Sequence, residues 1–232
     1  MRNETRNLLI LLGGRHNDFQ QGQFITKNQW DSINPLTRKG AWTYNNYDEK
    51  GEVTSYGLEG GVCAGLASCY LIAGSQWTSF THYIASEAGK SVIRGNHNFQ
   101  EQLISNCKNG WYHGGIIILD IHKIILKNND VTHIKSGKVP LNNCYNSLRR
   151  DVVSNLNTKI GYLFIINSPT GGHVLGLRVG QGTIHFFDPN LGEFILPYRK
   201  ANGAAMARFI ESFIRNEYPS YNELYVHCFN VR

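Results

Sequence analysis

Two titratable side chains stand near the ends of GGHVLGLRVGQGTIHFFDPN, residues 171–190: His173 just after two glycines and Asp188 just before a proline. A carboxylate that fixes the tautomer and orientation of an imidazole is two-thirds of a nucleophilic triad. The same pair in another setting only ties two strands together, so its meaning depends on whether the two residues meet and on whether a nucleophile joins them. HVLGLRV and TIHFFD are rich in β-branched and aromatic residues and are separated by glycine-containing turn residues, which predicts a β-hairpin. A two-residue loop with glycine first, Gly180-Gln181, suits a type II′ turn. That loop sets Val179 opposite Gly182 and His173 directly opposite Asp188, with Cβ atoms roughly 5 Å apart. Alternation then puts His173, Leu175, Leu177, Ile184, Phe186 and Asp188 on one face. Val174, Gly176, Arg178, Thr183, His185 and Phe187 take the other, so His185 reads as a surface or packing residue pointing away from the pair.

The nucleophile is sought among five cysteines at 63, 69, 107, 144 and 228. Most free cysteines are small buried hydrophobes, and Cys69, Cys107, Cys144 and Cys228, in apolar or loop contexts, are read that way. Cys63 differs in its setting, GLEGGVCAGLA. Gly60-Gly61 closes an irregular segment and a small-residue helix begins, placing Cys63 in a first helical turn where free N–H groups and the helix dipole favour a thiolate. Ala64, Gly65, Ala67 and Ser68 leave room for another element to approach that helix. Ser68 and Ser168 lack a glycine-marked helix start and are weaker candidates.

GVCAGL, GGHVLGL and FFDPNLGEF, in this order, resemble the YopT-like (YopT/AvrPphB) family of bacterial effector cysteine proteases. The resemblance covers about 55–215. It implies a papain-like α+β fold in which a nucleophile helix packs against a largely antiparallel β-sheet. It implies catalytic roles for Cys63, His173 and Asp188, with Pro189, Asn190, Gly192 and Phe194 completing the DPN-x-G-x-F pattern. It further implies a protease delivered into a host cell, where it cleaves a host protein in the reducing cytosol. One position departs from the papain-like pattern. The Gln or Asn that donates into the oxyanion hole from five or six residues before the cysteine is replaced here by Leu58 and Gly57. Loss of such a donor costs about 10²–10³ in rate, so the Cys63 backbone N–H or another group must supply the donation.

A chain of 232 residues with 41% hydrophobic and 17% charged residues can bury a full core and is globular. LLILL at 8–12 and IIIL at 116–119 are too short to span a bilayer, and no cleaved secretory signal is read at the N-terminus. The cysteines show no CxxC or metal-ligand spacing, which suits reduced thiols. His113, Asp120 and His122 lack a third ligand at a sensible spacing, so neither a metal nor a cofactor is expected. The net charge of +6 is spread along the chain rather than clustered into a stripe. No nucleic-acid partner is expected, while an anionic membrane surface is compatible with the charge. Nothing in the chain signals an oligomer, and a monomer is favoured.

Residues 1–50, rich in Asn, Gln, Gly and Arg, read as an N-terminal extension serving secretion, targeting or substrate contact, and 51–232 as the catalytic domain. Helices are predicted over 62–73, 78–90, 98–107, 146–156 and 204–214, with Asn202 a cap for the last. Strands are predicted over 162–167, in the 173–188 hairpin and in the closing ELYVHCFN. Residues 114–126 fit either state. Trp30, Trp42, Trp77 and Trp111 read as core anchors, and Glu193 as a turn residue. Helices first and an antiparallel sheet later make an α+β arrangement. The leading function is thiol-dependent cleavage of a host protein. The same three residues would serve a glutamine deamidase or a transglutaminase-like toxin, and an effector that binds its host target without catalysis is the reading in which Cys63 is dispensable.

Overall fold

In the computed structural model, residues 1–27, 44–47, 53–57, 62–74, 76–106, 123, 125–141, 144–168, 171–198 and 203–232 are described. The organising element is an antiparallel sheet ordered β1-β8-β7-β6-β5-β9-β4. Its strands are β1 (Arg15–Asp18), β4 (Thr132–Pro140), β5 (Ile160–Ser168), β6 (Gly171–Gly180), β7 (Thr183–Asp188), β8 (Gly192–Pro197) and β9 (Glu223–Asn230). β2 (Tyr44–Tyr47) and β3 (Val53–Gly57) form a separate two-stranded ribbon. YLFIIN lies at the centre of the sheet between β6 and β9, buried on both faces, which is why it reads as an unbroken apolar run.

Helices cover both faces. On one side lie α1 (Asn3–Leu11), α6 (Cys144–Asp151) and α7 (Gly203–Glu217). Met206, Phe209, Ile210 and Phe213 of α7 meet Leu175, Leu177, Ile184 and Phe186 in a single apolar cluster, which also takes in Leu9 of α1. On the other side lie α3 (Cys63–Ala73), α4 (Trp77–Ala85) and α5 (Glu87–Asn106). Here Tyr70, Trp77, Phe80 and Phe187 pack with Phe19, so Trp77 is a core anchor, whereas Trp30, Trp42 and Trp111 lie outside the described residues. The glycine in α3 has a packing reason. A Cβ on Gly65 would sit 2.7 Å from Ile93 Cα of α5, a separation that real atoms do not adopt.

The helices expected over 78–90 and 98–107 are divided differently. The break comes at Ser86, whose Oγ accepts the Gly89 N–H at 3.2 Å as a helix cap, and α5 then runs unbroken to Asn106. Gly95 and Asn96 resemble breakers in the sequence. Asn96, however, is buried and returns its side-chain N–H to the Val92 carbonyl at 2.9 Å, so packing outweighs local propensity. Of the ambiguous 114–126 stretch, Ile125 and Leu126 are helical and most of the remainder lies outside the described residues, as does Asn202. Among the described residues, no helix is long and apolar enough to cross a membrane.

β1 is hydrogen-bonded to β8 with Arg15 opposite Ile195 and Asp18 opposite Gly192, and α2 (Gln21–Lys27) follows it. The N-terminal segment thereby reaches the turn that carries Asp188: the Gln21 N–H donates to the Pro189 carbonyl at 2.8 Å.

Candidate active site

β6 and β7 form the expected hairpin in a different register. Gly180 pairs with Thr183 and Gly176 with Phe187, so the loop is Gln181-Gly182 rather than Gly180-Gln181. VGQG has a glycine on each side of Gln181, and the sequence does not say which one takes the left-handed conformation. The structure places it at Gly182, with φ of +69°. Extending this ladder puts Asp188 opposite Leu175, so His173 and Asp188 are diagonal neighbours instead of a direct cross-strand pair. The slip is by an even number of residues and leaves every side chain on its expected face. His173 Nε2 and Asp188 Oδ1 are 3.0 Å apart, both residues being buried.

Asp188 is saturated with donors. Oδ1 also accepts the Asn190 backbone N–H at 2.7 Å, and Oδ2 accepts the Tyr218 hydroxyl at 2.5 Å. The Asx geometry over Asp188-Pro189-Asn190 explains the DPN tripeptide: the carboxylate locks the turn that leads from β7 into β8.

Cys63 opens α3 and is 5% exposed. Val62 supplies no side-chain cap, so the first backbone N–H groups of the helix, which begins at Cys63, have no partner from a cap. The Cys63 side chain lies close enough to the His173 ring to raise its proton affinity. Since Nε2 is engaged by Asp188, Nδ1 is the nitrogen left for sulfur. Burial alone would lower the His173 proton affinity. The Asp188 charge and hydrogen bond, with the Cys63 contact, outweigh burial and raise the His173 pKa to about 10. At neutral pH this imidazole is a cation, the counter-ion a thiolate requires.

The remaining candidates separate cleanly. Cys69, Cys144 and Cys228 are buried; burial pushes the Cys69 and Cys228 thiols up, and burial followed by Glu211 raises Cys144 to about 12. Ser68 is fully buried within α3. Cys107, His113, Asp120 and His122 lie outside the described residues. Among the described residues no cluster of three His, Cys, Asp or Glu side chains is placed to hold a metal. Gly57 ends β3 opposite Tyr44, while Leu58 lies outside the described residues.

Two features escaped the sequence reading. Glu193 is not a turn residue but a fully buried member of β8. It accepts from the Tyr70 hydroxyl at 2.6 Å and from Asn17 Nδ2 at 2.8 Å, and lies 3.0 Å from His185 Nδ1. His185 is thus a packing residue on the face opposite His173, and the network ties α3, which carries Cys63, to the sheet. Arg178 donates to the carbonyl of Leu71, one residue after Tyr70. The second feature is Tyr218, just beyond α7, which no local pattern links to Asp188.

A helix-borne thiol facing an imidazole at the rim of an antiparallel sheet, with a carboxylate behind it, is the layout of a papain-like cysteine peptidase. The chain belongs to the Peptidase_C58 family, described as Yersinia/Haemophilus virulence surface antigen, whose profile matches residues 18–231; it is a cysteine protease of a virulence-effector family. Its fold is similar to that of the Pseudomonas avirulence protein AvrPphB, with a TM-score of 0.54 covering 73% of this chain and 92% of that one at 15% identity. None of the curated protein sequences matches the chain.

Proposed function

We propose that the protein hydrolyses a peptide bond in a host protein with Cys63 as nucleophile, His173 as general base and then acid, and Asp188 as the group that orients His173 and holds its charge. The observation that carries this reading is the His173 ring, buried between the Cys63 thiol and the Asp188 carboxylate. The Cys63 thiolate attacks the scissile carbonyl carbon, and the resulting oxyanion takes hydrogen bonds from the open N–H groups at the start of α3, including that of Cys63. The tetrahedral intermediate collapses, the C–N bond breaks, and the His173 imidazolium gives its proton to the leaving amine. Water then loses a proton to His173 and attacks the thioester. Collapse of the second intermediate releases the acid and expels the Cys63 thiolate, restoring the thiolate–imidazolium pair.

The reading extends to delivery into a host cell. An anionic membrane surface is a second partner compatible with the net charge of +6, with a monomer as the working unit. Residues 1–50 are assigned delivery or substrate contact in addition to the two strands and two helices that they contribute. The test is N-terminal labelling and mass spectrometry of host-cell proteins exposed to the active protein or to Cys63→Ala. New termini that require Cys63 are expected. A Cys63-dependent deamidation mass shift on intact chains would replace the protease reading by the deamidase one, and modification independent of Cys63 would remove both.

A chemical expectation follows from burial and charge. Iodoacetamide at pH 6–7 should alkylate Cys63 at least about tenfold faster than Cys69, Cys144 or Cys228, because only Cys63 faces an imidazolium while the other three thiols are held protonated. Peptide mapping of the partly alkylated folded protein reads this directly. Equal labelling of the four would sink the activated-thiol assignment.

A further inference from the structure

We propose that Tyr218 is a positioning residue that sets how firmly the buried His173–Asp188 pair holds its proton; the inference rests on the triad reading above. Tyr218 closes α7, its N–H bonded to the Ile214 carbonyl at 2.9 Å, and its ring is held between Phe213 and Tyr221. From there it touches both members of the pair. Its ring stacks on the His173 imidazole with centroids 4.9 Å apart and planes inclined by 29°, and its hydroxyl reaches Asp188 Oδ2 at 2.5 Å.

The direction of that last bond is determined by a third residue. Asn190 Nδ2 donates to the Tyr218 oxygen at 3.3 Å, so the hydroxyl proton is committed to Asp188. Asn190 is itself oriented from the N-terminal segment, where Gln21 Nε2 donates to Asn190 Oδ1. Burial first, and the Asp188 charge second, hold the Tyr218 hydroxyl protonated, so it remains a donor across the working pH range. Among the described residues, the titratable groups facing this cluster are Asp188 from β7, Cys63 from α3, His173 from β6 and Tyr221 from the segment between α7 and β9.

Tyr218 therefore acts on the pair in two ways that add. Its O–H neutralises part of the Asp188 charge that would otherwise bear on the imidazolium, which lowers the proton affinity of His173. Its ring excludes water from one face of the imidazole, and the burial it contributes lowers that affinity as well. The two contributions are separable by mutation. Tyr218→Phe keeps the ring and removes the donor, and Tyr218→Ala removes both.

The experiment is NMR titration of the His173 ring in the full chain, the resonance being assigned by its loss in His173→Ala. The His173 midpoint is expected to rise by about half to one pH unit in Tyr218→Phe, and to rise further in Tyr218→Ala. A residue that only fills space would leave the midpoint unmoved in Tyr218→Phe, which keeps the ring. The proposal is overturned if Tyr218→Phe fails to raise the midpoint. Tyr218→Phe is close to isosteric, so the test does not depend on how well the alanine variant folds. The titration needs no substrate. An absent shift in Tyr218→Phe alongside Cys63-dependent cleavage would remove Tyr218 alone, and the upward shift without such cleavage would remove the protease reading alone.

Discussion

Turnover by the His173→Ala variant is expected to fall by about 10⁴-fold or more, the scale of loss when one member of a nucleophile–base pair is removed. In the proposed mechanism the imidazole holds the proton given up by the thiol, stabilises the thiolate and delivers that proton to the leaving amine, and no other described side chain hydrogen-bonded to Asp188 can replace it. The fold should survive. Asp188 keeps the Asn190 N–H at 2.7 Å and the Tyr218 hydroxyl at 2.5 Å, so the substitution does not leave a buried carboxylate without donors. The comparison therefore needs two measurements: turnover on a substrate found by terminus labelling, and thermal unfolding followed by circular dichroism. Activity within tenfold of the parent in a folded variant would rule out His173 as the base.

The second large effect belongs to Asp188→Asn, for which a loss of about 10²–10³ in turnover is expected, again without unfolding. The expectation comes from donor and acceptor counting. Asp188 Oδ1 accepts from His173 and from the Asn190 N–H, and an asparagine oxygen in that place can do the same. Its NH₂ would then face the Tyr218 hydroxyl, which can rotate its proton away and accept. Geometry is kept and charge is lost. Burial lowers the His173 proton affinity and the Asp188 charge is the leading contribution that reverses it, so the pKa should drop from about 10 to below the ordinary value of about 6.5. The imidazolium that sustains the thiolate is then scarce at neutral pH.

The same shift makes a stability statement. A histidine whose pKa is raised by folding contributes stability that is fully present below the unfolded value, about 6.5, and is lost as pH rises through the folded value, about 10. The parent should thus exceed Asp188→Asn in unfolding free energy by most near pH 6, and the difference should shrink as pH rises through 10. Denaturant unfolding at the two pH values checks this, and a difference that grew with pH would mean that the sign of the His173 shift is wrong.

What the amino-acid sequence determined here is what local rules control. Strand alternation assigned residues 173–178 and 183–188 to their correct faces, and it did so even though the turn was misplaced, because the slip preserved parity. The small-residue run after Cys63 announced a closely packed helix, and Gly65 against Ile93 is where that approach occurs. The ordered motifs pointed to a cysteine protease family, and the family match across 18–231 agrees. Tertiary structure decided the rest, for reasons that no window of the sequence contains. The choice between Gly180 and Gly182 in VGQG is settled by β7 pairing with β8 beyond the loop as well as with β6 before it. The helix through Gly95 and Asn96 exists because Asn96 finds a backbone acceptor within a buried face. Glu193 and Tyr218 are the plainest cases. Each lies among residues whose local pattern predicts something ordinary, a turn and a helix end, and each acquires its role only when several elements meet: α3, β1 and β7 around Glu193, and β6, β7 and the end of α7 around Tyr218. A hydrogen bond is short-ranged and directional, so the partners of a buried carboxylate are decided by packing to within a few tenths of an ångström, and packing is a property of the whole chain.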